Sequence, residues 1–383
     1  MQLKISLATA TLLSALCVQA DDYVSFEYLQ YDENKNRTSV SAPSLIINKD
    51  FGVDYTLNFS IVADAVSGAS ETYYDASSGA SAIHSRGTNV SQNDVKYGNV
   101  EYDDNRVAGS LALTTRFDNR DELTVGLNRS NESDFYSTEL SGEYMHYLDE
   151  SKNQSVSFGL SYMANQILVQ CSATGTGSCD TLSGGSEEET ADTISTQVSF
   201  HQVLDSTSFT EAALFYMQED GYLTNPYLNV VRDYNSGTAK IVGENRPDSR
   251  SIYGLSLKYA KAINDEFTTQ ASYRFYNDDW GINSHTIDTD LYYEPSSDWL
   301  IKVGLRYYTQ SEADFFKFEK DYFTNQTYAS SDLRLSNFDA VTYKSYVEYK
   351  FSDDFSYNIS ANFYDQSTDL SATYFMTGFK YKF

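Results

Sequence analysis

Guanidinium, carboxylate and aromatic side chains recur at short spacing in two stretches of the C-terminal half of the chain. A guanidinium fork binds a carboxylate or phosphate through two parallel hydrogen bonds, and an aromatic face stacks on a planar group. Such a set predicts a ligand-binding site at the opening, or mouth, of a barrel, a fold that the strand pattern of the chain predicts. The alternative is that Arg–Asp pairs hold loops folded into that mouth. The residues are Arg274, Tyr276, Asp278, Asp279, Trp280, Arg306, Tyr308, Gln310 and Asp314.

A second set of charged residues falls on the polar phase of segments whose hydrophobicity alternates. Opposed carboxylates and cations along a water-filled lumen would set a transverse field that orders water and selects small solutes. The alternative interpretation is that these pairs brace the wall and solvate the lumen. The members are Asp54, Arg106, Arg116, Glu139, Glu143, Arg274, Lys302, Arg306, Lys344, Glu348 and Lys350.

Such charges need strands to position them, and the last eleven residues supply the clearest one. Phe383, Tyr381 and Phe379 fall on one side of an extended strand, because strand side chains alternate with a period of two. A terminal Phe preceded by alternating aromatics is typical of the closing strand of an outer-membrane barrel. We therefore expect Phe383 to face lipid and to be part of the signal that the barrel assembly machinery recognises.

The same alternation recurs along the chain in about sixteen segments, with Phe51–Ala63 the clearest of them. If Val24–Asn48 forms a plug or an arm instead of two strands, the count falls to fourteen. Short turns alternate with longer connections, as in barrels that have tight periplasmic turns and long external loops. Asp64–Asp104 and Glu219–Asp248 are predicted to be loops. The sequence thus predicts a closed antiparallel transmembrane β-barrel without helices or a second domain.

Composition and export signals agree with this fold class. Residues 1–20 have the features of a signal peptide cleaved after Ala20, which leaves residues 21–383 as the barrel domain. The chain has 33 Tyr and 22 Phe, suited to aromatic girdles at membrane interfaces. Cys171 and Cys179 are predicted to form a disulfide at a loop tip in an oxidising envelope.

The charge and the motifs narrow the function classes. A formal net charge of −27 argues against nucleic acid as a partner. The chain contains no Gly-x-Ser-x-Gly or His-Glu-x-x-His motif, and Asp278-Asp279 lacks the spacing of a calcium-binding EF-hand loop, so no metal site is predicted. An outer-membrane hydrolase would need Ser, His and an acid on neighbouring strands; His201 is the histidine on the polar phase.

Several stretches resemble a bacterial outer-membrane barrel family catalogued only as a domain of unknown function (DUF3570). They include DAVSGAS from Asp64, GYLTNPY from Gly221, YRFYNDDWGINSHT from Tyr273 and LRYYTQSEADFF from Leu305. The resemblance implies a barrel in the outer membrane. Genes of this family tend to lie beside flavin-transferase and thioredoxin-like genes, which implies a link to envelope redox or cofactor traffic. It supplies no catalytic residues.

The function predicted from the sequence is a porin-like passage or binding channel for small polar solutes, in contact with outer-membrane lipid and without a cofactor. One alternative is a non-conducting barrel that serves as a scaffold or partner of an exported redox or metal-handling system. The other is the outer-membrane hydrolase.

Overall fold

A computed structural model describes residues 22–77, 89–170, 186–234, 238–318 and 322–383. The described residues form strands joined by short turns and by longer connections, with 3-10 turns at Asn34–Asn36 and Leu333–Leu335. No helix among them is long and apolar enough to cross a membrane. The predicted signal peptide, His84 and the predicted Cys171–Cys179 disulfide lie outside the described residues. The strands are β1 Tyr23–Glu33, β2 Thr38–Phe51, β3 Tyr55–Asp75, β4 Asn89–Ser91, β5 Val95–Arg116, β6 Glu122–Asn131, β7 Phe135–Tyr147, β8 Gln154–Gln170, β9 Ser186–Asp205, β10 Ser208–Gly221, β11 Asn229–Arg232, β12 Thr238–Gly243, β13 Ser249–Ala262, β14 Phe267–Asp278, β15 Asn283–Ser296, β16 Trp299–Gln310, β17 Phe338–Lys350, β18 Phe355–Gln366 and β19 Ser371–Lys382.

Sixteen of these strands form one closed antiparallel barrel, as the sequence predicted. Each strand pairs with its neighbour in the chain, and β19 closes the ring by pairing with β1 from Tyr23↔Lys382 to Glu33↔Ala372. Because β1 and β2 are wall strands, the fourteen-stranded alternative with a plug is wrong. Closure satisfies the backbone groups of every wall strand, which a bilayer core requires.

The alternation of side chains gives the wall two different faces. On β3, Phe59 and Ile61 point outward and are exposed, while Asn58 and Ser60 point inward. Phe383 is 58% exposed on the outer surface, as the aromatic ending predicted. The outside is therefore apolar and the lumen polar, which is the pattern of a barrel surrounded by lipid.

The two ends of the barrel differ. The end that carries Tyr23 and Lys382, here called the terminal end, has turns of six residues or fewer. One of them contains Asp54, so the prediction that Asp54 lies on a lumen-facing strand position is wrong. The opposite end, here called the loop end, carries the long connections 222–248 and 311–337.

Two predicted loops contain regular structure. Most of Asp64–Asp104 is a hairpin, because β3 and β5 stay paired from Tyr55↔Thr115 to Asp75↔Val95 and extend well past the roughly 9–11 residues that cross a bilayer. Within Glu219–Asp248, β11 and β12 pair with each other and with β4 to form a three-stranded sheet. Both predictions of irregular loops were wrong, since polar strands outside the membrane lack the apolar alternation.

The small sheet and the connection 311–337 together form a unit that we call the cap: the described residues of 222–248 and 311–337 with β4. Its centre is apolar, and Val230, Ile241 and Ala329 have no solvent exposure. Isolated bridges Arg232↔Phe323 and Asn245↔Ala329 join the two connections. The cap is thus a folded layer at the loop end with its own apolar core.

Candidate functional site: the lumen and its cap

Apolar contacts fix the cap to several parts of the barrel rim. Val231 and Ala239 of the cap pack on Tyr73 of β3. On another side, Leu223 packs beside Ile167 of β8 and also beside Trp280, which follows β14. Because these contacts reach strands on different sides of the ring, the cap bridges the mouth at the loop end.

A buried ion network ties the two cap connections together. Arg246 of the first connection lies between two carboxylates, with Nε 2.6 Å from Glu244 and Nη2 2.8 Å from Asp332 of the second connection. Ser330 donates from its hydroxyl to Glu244 at 2.5 Å. The side chains of Arg246 and Glu244 have no solvent exposure. We call these residues the Arg246 network.

The charge of Asp332 is stabilised by its neighbours. Burial alone would raise the pKa of its carboxyl group, but the positive charges of Arg334 and Arg246 and the hydrogen bonds from Arg334 outweigh burial. The pKa of Asp332 is held well below its ordinary value. Asp332 is therefore ionised whenever the cap is folded at neutral pH.

Below the cap, the predicted mouth residues at the end of β14 form a second group of ion-paired and hydrogen-bonded side chains. Asp278 is buried and accepts hydrogen bonds from Arg250 at 2.6 Å, from the hydroxyl of Tyr276 at 2.8 Å and from the backbone N–H groups of Trp280 and Ile282. The guanidinium of Arg250 lies 4.4 Å from the Trp280 ring. In this arrangement Asp278 and Trp280 support the rim, as in the alternative interpretation of an Arg–Asp pair.

Arg274 is placed differently. Its side chain is exposed to the lumen, and its guanidinium lies 4.7 Å from the centre of the Phe215 ring on β10. The ring can lie there because Gly254 on the strand between them has no side chain; a Cβ atom would come within 2.3 Å of Phe215. Within the described residues Arg274 forms no ion pair or hydrogen bond.

Arg306 on β16 is also exposed in the lumen and has no ion pair in the described part of the chain. The carboxylate directly across from it in the register, Asp288 on β15, is bound by Lys344 at 2.5 Å. Lys344 also contacts Asp290 at 2.7 Å. Lys344 on β17 is thus ion-paired with both carboxylates, and Arg306 remains exposed to the lumen water.

A recess in the wall is lined by Arg274 on one side and by the carboxylate of Glu143 of β7 on the other. Its volume is roughly 590 Å³ with the open side included. Gly159 and Gly254 lie in the register row that runs from Glu143 to Tyr276, and their missing side chains leave space in the wall. The lining also includes polar and apolar residues of β8, β9 and β10, among them Ser161, Ser195, Gln197, Phe215 and Met217.

Three other predicted lumen charges, Arg106, Arg116 and Lys302, contact groups of the wall. Arg106 donates from Nε to both carboxylate oxygens of Asp64, at 2.8 and 3.0 Å. Arg116 pairs with Glu122 at 3.4 Å near the terminal end. Lys302 lies between the rings of Tyr292 and Tyr346.

Glu139 is 2% exposed and accepts a hydrogen bond from Asn128 at 2.9 Å. Tyr308 donates to Gln310 at 2.7 Å, and Gln310 in turn donates to two backbone carbonyl groups of the connection 311–337. Asp279 is exposed and accepts from the backbone N–H of Ser251. Glu348 accepts a hydrogen bond from Tyr346 at 2.8 Å, and Lys350 is exposed at the terminal end of β17. Among the predicted residues that line the middle of the lumen, Arg274, Arg306 and Glu143 have no ion pair in the described part of the chain.

The strands also bring Ser155, His201 and Glu211 opposite one another on β8, β9 and β10. Nδ1 of His201 lies 3.6 Å from Glu211, and no hydrogen bond joins His201 to Ser155 among the described residues. An activated serine needs a base within about 2.6–3.2 Å. The geometry is that of a polar wall and lacks the contact on which the hydrolase alternative depends.

Among the residues that the structure describes, one group of carboxylates could hold a metal ion. Its members are Asp104, Glu132 and Asp134 at the loop end, and their oxygen atoms lie within 4.8 Å of one another. Two of them already accept hydrogen bonds from hydroxyl groups, Asp104 from Ser133 and Asp134 from Tyr227. These contacts make the trio part of the polar network at the rim.

Sequence reasoning missed Phe215, Gly254 and the Arg246 network. Gly254 sits among alternating apolar residues, and a glycine inside a strand pattern signals a close approach of another group. Arg246 lies in a stretch without periodicity, and its partner Asp332 is 86 residues away in the chain. No local pattern identifies that pair.

Comparisons with known proteins place this fold. The sequence matches the protein family of unknown function DUF3570 over residues 3–378. None of the curated proteins matches. The solved structure of CdiB from Acinetobacter baumannii is similar, with a TM-score of 0.52 at 7% identity over 95% of this chain and 60% of CdiB.

Two further structures resemble the chain at lower scores. One is a bacterial polysaccharide outer membrane secretin, with a TM-score of 0.49 at 8% identity over 96% of this chain and 99% of that one. The other is the Ralstonia pickettii toluene transporter TbuX, with a TM-score of 0.44 at 9% identity over 96% and 90%. At such identities the likeness concerns the fold alone.

Proposed function

Since the chain belongs to the family of unknown function DUF3570, we propose its function from its geometry: an outer-membrane barrel whose lumen passes or binds small polar solutes. The observation that carries the proposal is a polar lumen wall behind an apolar outer face. Barrels of sixteen to eighteen strands enclose more space than side chains fill and hold an aqueous channel. The mechanism is passive, and the lumen charges and the cap set which solutes enter.

The cap is the constriction in this proposal. Both of its connections are insertions at hairpin ends, because the chain leaves and returns at neighbouring positions. Gly221 donates from its backbone N–H to Asp248 at 2.7 Å, and Gln310 is paired with Phe338. By analogy with barrels that have short periplasmic turns, the loop end faces the outside.

Planar-bilayer recording tests the proposal. The matched pair is the full protein and a variant in which residues 223–247 are replaced by a short Gly-Ser turn, which leaves β10 and β13 paired. We expect reproducible ion-selective steps from the folded protein, and steps several-fold larger from the variant, because the cap no longer bridges the mouth. Failure of both proteins to conduct, with the barrel shown to be folded by circular dichroism, would contradict passage of solutes through the lumen.

The folded core of the cap favours a second candidate, a non-conducting barrel that serves as a scaffold or partner of an exported redox or metal-handling system. A layer with fully buried residues such as Val230 and Ile241 is more than a loop lying in a pore. A scaffold would give no steps from the full protein. It would also keep the cap protected from protease in the membrane.

A further inference from the structure

We infer that the lumen holds an anion-binding site, formed by Arg274 and Arg306, for a small monoanionic carboxylate with a planar apolar body. The inference deepens the proposed function, because it names the chemical class of the solute. Its first basis is that both guanidiniums are exposed in the lumen and neither has an ion pair among the described residues. Five N–H donors on each are left for a ligand or for water.

The guanidiniums of Arg274 and Arg306 face the same part of the lumen. Arg274 and Arg306 lie on β14 and β16 with only β15 between them, facing Thr286 and Asp288, which are two residues apart on that strand. Their charges interact unfavourably. An anion between them relieves that repulsion and accepts hydrogen bonds from both.

The surroundings exclude the nearest carboxylates as internal partners of this pair. Asp288 and Asp290 are bound by Lys344, and Asp278 is bound by Arg250. Other cations therefore bind these three carboxylates. The guanidiniums of Arg274 and Arg306 remain exposed to the lumen water.

Aromatic groups define the body of the ligand. Phe215 supports one face of the Arg274 guanidinium at 4.7 Å, and its ring fills the gap above Gly254. A stacked guanidinium presents its N–H edge and its other face to the lumen. A planar apolar group attached to the carboxylate can pack on that face and on Met217 of the recess.

Glu143 limits the charge of the ligand. It lines the same recess as Arg274 and has no ion pair within the described residues. A second negative charge on the ligand would be repelled by this carboxylate. The recess therefore favours a monoanion over a dianion.

Isothermal titration calorimetry on the full protein folded in detergent micelles tests the site, with benzoate as the probe. Benzamide is the neutral isostere and phthalate is the dianion. We expect benzoate to bind, its affinity to fall at high salt, and benzamide and phthalate to bind at least about tenfold more weakly. Equal binding of benzoate and benzamide, or no binding of benzoate, would overturn the inference.

Variants locate the site. Arg274→Gln and Arg306→Gln are each expected to weaken benzoate binding by about tenfold or more. Lys302→Gln, which removes a lumen cation outside the recess, is the control and should leave the affinity within about twofold. Glu143→Gln should raise the affinity for phthalate and leave benzoate nearly unchanged. If one arginine variant fails to fold, the other still decides, and an unchanged affinity in it refutes the assignment.

This experiment separates the site from the proposed function. Benzoate binding without conductance would support the anion site and argue for a binding barrel that does not conduct. Conductance without benzoate binding would leave the passage and remove the anion site.

Discussion

Two sets of arginines, one at the rim and one in the lumen, are placed in opposite ways. Arg246 and Arg250 are buried or nearly so, and each touches two carboxylates. Arg274 and Arg306 are exposed and touch none in the described part of the chain. The same side chain therefore does two jobs, joining segments where its charge is neutralised and facing solutes where it is not.

The comparison also explains where a charge can be left unpaired. A buried guanidinium without a partner would lose its hydration without gaining an ion pair or hydrogen bonds in compensation. The rim arginines must therefore be paired. A guanidinium on the wall of a water-filled lumen keeps its hydration. It can therefore stay unpaired until a ligand binds, at little cost in free energy. Position relative to water decides the role.

Removing Arg246 is expected to have the largest effect. Arg246→Met leaves Glu244 and Asp332 as buried carboxylates without their central cation, which costs about 3–5 kcal/mol. We expect hydrogen exchange of β11 and β12 to accelerate strongly while the barrel strands keep their protection. Arg334→Met is the control: its side chain is 37% exposed, and a smaller effect is expected. Equal, small effects of both would show that the network does not hold the cap.

Filling the space at Gly254 should have a smaller effect on the lumen. Gly254→Ala places a Cβ within 2.3 Å of the Phe215 ring and of the backbone oxygen of Phe275, an overpacking that costs about 1–3 kcal/mol. We expect a lower urea midpoint in micelles and weaker benzoate binding, because Phe215 loses its place under Arg274.

Gly142→Ala is the matched control for this change. Gly142 is also a wall residue, and an added Cβ would meet nothing within 4 Å. An equal loss of stability in the two variants would show that the effect comes from the strand backbone alone.

Acidification between pH 7 and 5 should leave the cap closed. The pKa of Asp332 is depressed in the folded cap, so its contribution to stability is fully present above the ordinary carboxyl pKa of about 4 and is lost only as pH falls through the lower folded value. Limited proteolysis of the cap at pH 7, 5 and about 3 checks this. Cap cleavage that rises already between pH 7 and 5 would contradict the assigned role of Asp332.

The smallest effect is expected at His201. His201→Ala should leave ester and peptide hydrolysis at the background rate of the buffer, because the histidine lacks a hydrogen bond to Ser155 in the described structure. A panel of chromogenic esters and peptides measures it. A hydrolytic rate in the natural protein that disappears in the variant would revive the hydrolase alternative.

The wall of the barrel could be predicted from the sequence because lipid imposes one rule on every spanning strand. Phe59 and Ile61 must face outward and Asn58 and Ser60 inward, and this alternation is visible in the letters alone. The cap could not be predicted in the same way. Its strands β11 and β12 have four and six residues, and they are buried by contacts with residues far away in the chain, such as Tyr73 and Phe323.

The candidate site was predictable in part. The lumen-facing phase identified Arg274, Arg306 and Glu143, since it depends only on alternation. Which arginines are paired was not predictable, because the partners of Arg250 lie on two other segments, Asp278 on β14 and Glu219 on β10. Ion pairing across strands depends on register, and register is set by the whole ring.

Thiol labelling tests the central contrast most directly. In a background with Cys171→Ser and Cys179→Ser, single cysteines are introduced by Arg306→Cys in the lumen and by Ser330→Cys in the cap core, where Ser330 has no solvent exposure. The folded protein in membranes is treated with a negatively charged methanethiosulfonate, and labelling is read by mass spectrometry. We expect labelling at position 306 and none at position 330 until the protein is unfolded. An unlabelled position 306 or a readily labelled position 330 would contradict the contrast between lumen and cap.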